Sequence, residues 1–200
     1  MRYQFLIDTY ETERLKVLST WSMFRDEDLP IRPHPTDPRG RSVLEQMVHQ
    51  CLSENNWFAG MLGIALDVAS LPAVESRLGF IGRYAEDSRR RLDALHGKDD
   101  AWWEEKVAFF DVRRSRAWVM VRRIAHTAHH RGQQLAMLRM LGRDLYSNYG
   151  PTADTGGLAP NGALVIYPYP DAKALIDAEA EGGRKARLPG VGSKPSTERP

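Results

Sequence analysis

Along residues 4–25, Phe5, Tyr10, Leu15, Leu18, Trp21 and Met23 recur at mixed three- and four-residue spacings, the pattern of an amphipathic helix. The next stretch, "DLPIRPHPTDPRG", carries four prolines and reads as a loop. His34 lies between two of them and is a loop residue. A second helix starts at Ser42, where Ser42 and Glu45 form an S-x-x-E capping box, each side chain satisfying an otherwise unpaired backbone N–H. Its periodicity runs to about residue 66. "ASLPA" breaks the chain at Pro72, and a third helix follows over roughly 73–96. It closes on His96-Gly97, a basic ring in the last turn before a capping glycine.

"DDAWWEEKVAFF" reads as an aromatic-rich connection, and a fourth helix spans about 112–141, stopping at Gly142. Beyond it lie a glycine- and proline-rich loop, one short strand over "ALVIYPYP", and a short helix that Asp171 can cap. Glycine, proline and charge dominate residues 183–200, a composition expected to be disordered. The expected organisation is a helical domain over 1–155, a loop-rich extension over 156–182 with the short strand and helix, and a tail. Four long helices with short or loop connections predict an all-α fold, a four-helix bundle.

Composition narrows the function classes. The chain has 200 residues, 27% charged and 42% apolar, the balance of an ordinary globular domain. Its formal net charge of +2, with acids interleaved among the arginines, argues against a nucleic-acid partner. No apolar run approaches membrane-spanning length, and acids appear by Asp8, so a cytoplasmic protein without membrane contact is expected. The single cysteine, Cys51, excludes an intrachain disulfide and reads as a small core residue. Nucleotide-binding glycine loops, CxxC pairs and G-x-S-x-G are absent from the sequence.

"IAHTAHHRGQQ" gathers three of the six histidines. His126 and His130 are four apart, so on a helix they differ by about 40° and stack one turn apart on one face. Two imidazoles so arranged can share one metal ion. The pair lacks the internal glutamate of H-E-x-x-H, which excludes a zincin. His129 points about 80° away from the midpoint of the pair and suits a supporting role rather than ligation. Arg131 points away as well and reads as a structural pairing residue. A metal needs at least a third protein ligand. His49 lies mid-way along the second helix on a face with Glu45, Ser53, Asn56 and Gly60, opposite the apolar stripe of Leu44, Met47, Cys51, Phe58 and Leu62. It either lines a polar pocket or sits at the surface. The face of His126 and His130 also carries Val119, Met137 and Leu141, while Ile124, Ala128 and Leu135 lie opposite. A helix apolar on two sides is buried on two sides, and a homodimer interface would account for one of them.

"AHTAHHRGQQLAMLRMLG" with "YGPTADTGG" resembles the end of the fourth helix in the DinB-like, or YfiT-type, superfamily, and "RSVLEQMVHQCLSENNWF" resembles its second helix. The resemblance covers about residues 1–155. It implies a four-helix bundle of up-down-down-up course that holds a divalent metal, often zinc or nickel, through three histidines. Carried over by position, these are His49, His126 and His130. Homodimers are common in the family. Its enzymes include thiol-dependent transferases and isomerases that use a low-molecular-weight thiol on a small electrophile; other members, including damage-induced ones, have no established activity. Trp57, Tyr146 and Tyr149 are the candidate pocket residues.

Overall fold

The computed structural model describes residues 1–67 and 70–190. In chain order they form α1 (Gln4–Met23), α2 (Val43–Gly60), α3 (Arg77–His96), α4 (Asp100–Glu104), β1 (Lys106–Phe109), β2 (Val112–Ser115), α5 (Arg116–Met140) and α6 (Ala172–Ala180). The predominance of helix agrees with the sequence pattern. The four long helices pack side by side: α1 lies against α3 and α5, and α2 lies against the same two. No described helix is long and apolar enough to cross a membrane.

The helix starts follow their caps. Ser42 accepts from the Glu45 N–H while Glu45 accepts from the Ser42 N–H, the predicted box at the head of α2. Ser76, Ser115 and Asp171 cap α3, α5 and α6, each side chain accepting one backbone N–H of the first turn. Several boundaries differ from the periodicity. α2 stops at Gly60, and Gly63 turns the chain with a left-handed φ of 70°. Leu62 and Ile64 nevertheless stay buried in the same core, so apolar spacing outlasts the helix. The connection before α5 is a β-hairpin rather than plain loop. Lys106–Phe109 pairs antiparallel with Val112–Ser115, and α5 therefore begins at Arg116, four residues later than expected. The expected strand over "ALVIYPYP" does not form. Pro168 and Pro170 cannot donate to a ladder, and the backbone of Ile166 pairs with Ser147 as an isolated contact.

Of the expected tail, residues 191–200 lie outside the described residues. Residues 183–190 are held against the helices: Lys185 pairs with Glu179, Tyr146 donates to the Ala186 carbonyl, and Leu188 packs on the core.

Two apolar clusters fill the interior. One centres on Trp21, Met47, Tyr84 and Met137; the other on Ile7, Phe58, Leu95, Trp103 and Val119. Cys51 belongs to the first, where burial pushes its thiol up to about 12 and keeps it protonated. Between the clusters sits a charge. Glu54 of α2 is 0% exposed and accepts from Tyr10 of α1 at 2.7 Å and Tyr84 of α3 at 3.0 Å. Its carboxylate also lies 3.3 Å from Arg91 of α3 and 3.8 Å from Arg123 of α5, both fully buried. Burial alone would raise the Glu54 pKa. The charges of Arg91 and Arg123 and the two phenol hydrogen bonds outweigh it and hold the carboxyl below its ordinary value.

Glu54→Gln would leave two buried guanidinium groups without a countercharge, and it should cost about 3–5 kcal/mol of folding stability. Chemical denaturation measures it; a loss under 1 kcal/mol would contradict the role. The pH dependence follows from the direction of the shift. The folded carboxyl has the lower pKa, so its contribution is complete above the unfolded value near about 4.3 and is lost as pH falls through the folded one. The acid limb of the stability curve should flatten in Glu54→Gln.

Candidate metal centre

α2 and α5 lie antiparallel and turn polar stripes toward one another. Gln46, Gln50 and Glu54 recur every four residues on α2 and are buried, and each reaches a side chain of α5. His49 and Ser53 form the neighbouring stripe, nearer the surface. From α5 come His126 and His130, one turn apart. One ring nitrogen from each of His49, His126 and His130 can be chosen so that all three lie within 4.8 Å of one another. The His49 ring centroid is 4.7 Å from that of His130 and 5.8 Å from that of His126. Nε2 of His126 and Nε2 of His130 are 2.9 Å apart. Among the described residues this is the one group of three or more His, Cys, Asp or Glu side chains so placed.

The protonation states suit ligation. Burial, then the charge of Arg123, lowers the His126 pKa to about 4; burial, then His126 and His49, lowers that of His130 to about 3. Burial, Arg41 and Arg123 lower that of His49. All three rings are therefore neutral at pH 7, the form in which imidazole offers a lone pair. Gln46 settles which nitrogen is offered. Its Nε2 donates to Gln133 at 3.0 Å, so its amide oxygen faces His130 and accepts from Nδ1–H at 2.9 Å. That leaves the His130 Nε2 lone pair aimed at His126 and His49. Nδ1 of His126 is buried without a partner. Three neutral nitrogens converging with one lone pair already oriented form a donor set that fits a divalent cation such as zinc or nickel.

His49 and Trp57 line a groove of about 550 Å³, with Val48, Leu52 and Ser53 in its wall and Arg41 at its edge. The Trp57 ring lies 5.7 Å from His126 and 5.6 Å from Phe109 of the hairpin, so β1 closes the site on that side. Trp57 is thus beside the histidines, as expected. Tyr146 and Tyr149 are not. The loop after α5 folds back on the α1 side, where Tyr149 bonds Arg131 and lies over Lys16, and Tyr146 is buried against Ala186. His129 is exposed and held by Gln133, with its ring 5.3 Å from that of His130, and Gln46 hydrogen-bonds the same candidate ligand. Arg131 pairs with Glu13 of α1, away from the histidines.

The sequence pattern of the DinB family matches residues 9–156, and the chain belongs to that family. Two solved structures share the fold. A DinB-like protein of Bacillus cereus ATCC 10987 superposes with a TM-score of 0.56 at 18% identity, over 72% of this chain and 92% of its own. A DinB-like protein of Bacillus subtilis, YjoA, gives 0.54 at 13% identity, over 68% and 92%. No curated protein matches the chain.

Ring-carbon NMR should show His126 and His130 neutral from pH 8 down to about pH 5, well below the ordinary histidine midpoint of about 6.5. Gln46→Leu should release the His130 ring to a mixture of tautomers, visible in its ring-nitrogen shifts. A single Nδ1–H tautomer persisting in the variant would contradict the role given to Gln46.

Proposed function

We propose that His49, His126 and His130 hold one divalent cation, zinc or nickel, and that the protein is a metal-dependent transferase or hydrolase using a low-molecular-weight thiol. The observation that carries this reading is the convergence of three neutral imidazoles from two helices, one of which, His49, lines a groove. Such an ion, when bound, lowers the pKa of a thiol or water and offers a nucleophile at neutral pH. The chain's own residues do the rest. Gln46 fixes the His130 ring, Trp57 and Phe109 shield one side from solvent, and the groove seats the substrate. In a transfer, sulfur bonds to the electrophilic carbon, the leaving group departs with its electron pair, and the thiol proton passes to solvent.

The up-down-down-up course of a four-helix bundle belongs to the same reading. Two contacts on each helix pair support it: Arg14 with Ser88 and Arg77 with Ser22 run in opposite directions along α1 and α3, and Gln46 with Gln133 and Ser53 with Arg123 do so along α2 and α5. Assembly as a homodimer through α5 is supported by its exposed Trp118 and Val121, while Ile124, Ala128 and Leu135 are only partly covered within the chain.

Protein prepared without nickel resin should carry close to one ion per chain. His126→Ala should lose it and His34→Ala should keep it; equal metal in both variants contradicts the site. Zinc- or nickel-loaded protein should consume a small thiol with a suitable electrophile, and His130→Ala or chelation should abolish that. Stoichiometric metal without turnover in a thiol screen would favour a clamp that ties α2 to α5. Light scattering at micromolar concentration should give the mass of a dimer, and a clean monomer would remove that part of the reading.

A further inference from the structure

The charge count around Glu54 does not close. Arg91 and Arg123 are both 0% exposed, and both face the one carboxylate of Glu54. Arg123 is the worse served. Its closest partners are hydroxyls: Nη1 donates to Ser53 at 3.1 Å, and Nε and Nη2 donate to Thr127 at 3.3 and 3.1 Å. Its carboxylate contact is the 3.8 Å approach to Glu54, a group already bonded to two phenols. The interior beside the histidines therefore holds two guanidinium charges against one carboxylate. A buried charge is costly unless something of opposite sign answers it.

Ser53 brings this excess to the groove, since its hydroxyl takes Arg123 from within while the residue lines the groove from outside. A second cation stands at the rim. The Arg41 side chain makes no hydrogen bond or ion pair among the described residues, although Arg32, in the adjoining loop, is paired with Glu45. Of the groove's two acids, Glu45 is committed to Arg32 and to the Ser42 N–H. Glu75 is exposed, as is Arg41, so solvent and salt screen both, whereas the charge of buried Arg123 is screened far less. Between these charges α2 presents Leu44, Val48 and Leu52 at four-residue intervals, with Leu52 46% exposed.

We infer that the groove binds a small organic anion with an apolar body, its charge met by Arg41 and by the buried excess at Arg123, and its body laid on Leu44, Val48 and Leu52. This rests on the metal-centre reading and adds the class of its ligand: a thiol that also carries a carboxylate, rather than a neutral one. No bond is made or broken in the binding itself.

The test uses the full chain loaded with Co²⁺, whose absorption reports both uptake of the ion and thiolate ligation. 3-Mercaptopropionate and its neutral amide are titrated into the wild type, Arg41→Gln and Arg41→Lys. The acid should bind the wild type about tenfold more tightly than the amide, as a charge-assisted contact implies. Arg41→Gln should take up Co²⁺ normally yet lose most of the preference for the acid, keeping only the weak part owed to buried Arg123, and Arg41→Lys should keep more of it. An acid preference undiminished in Arg41→Gln reflects chelation of the ion by the probe and overturns the inference. So does equal binding of acid and amide to the wild type. Failure of the wild type to take up Co²⁺ overturns the metal-centre reading, and the inference with it.

Discussion

Glu54 is the point at which the four long helices meet. Tyr10 from α1, Tyr84 and Arg91 from α3 and Arg123 from α5 all turn inward to one carboxylate that water does not reach. An ionised group so placed is tolerable only when its partners arrive from every side. The contact therefore specifies the register of all four helices as well as their proximity. A shift of α5 by one turn would carry Arg123 away from Glu54 and leave its buried charge unanswered.

That register positions the candidate site. His49 lies five residues before Glu54 on α2, and His126 lies three after Arg123 on α5. Fixing Glu54 against Arg123 brings the two histidine-bearing stripes face to face, and Gln46 completes the alignment by holding His130. The same cation shapes the chemistry. Burial first, and then Arg123, disfavours protonation of His126, so the imidazoles remain available as donors at a pH where an exposed histidine would begin to lose its lone pair. The cation that secures the fold thus also adds to the electrostatics of the cluster.

Much of this is legible in the sequence because it is local. The capping box of Ser42 and Glu45, the cap at Asp171, the stop at His96-Gly97 and the stacking of His126 on His130 depend on residues within one or two turns. The family pattern added His49, which spacing alone left open between a pocket and the surface. What stayed hidden depends on distant partners. Gln46, Gln50 and Glu54 look like a solvated face of α2, and only α5, α1 and α3 make that face interior. The hairpin escaped because its strands are four residues each and its turn, Phe110-Asp111, lacks glycine; Phe110 itself takes the left-handed φ of 53°. Tyr146 and Tyr149 were misplaced because their loop returns along α1, bonded through Asn148 to Thr20 and through Tyr149 to Arg131, a path that no local rule encodes.

The central claim is that one ion is shared by α2 and α5 through three imidazoles. X-ray absorption at the metal edge of the zinc-loaded protein tests it most directly. The account predicts the multiple-scattering signature of three histidine rings in the coordination shell, falling to two in His49→Ala. A shell of oxygen donors with one imidazole or none, or a spectrum unchanged by His49→Ala, would contradict it.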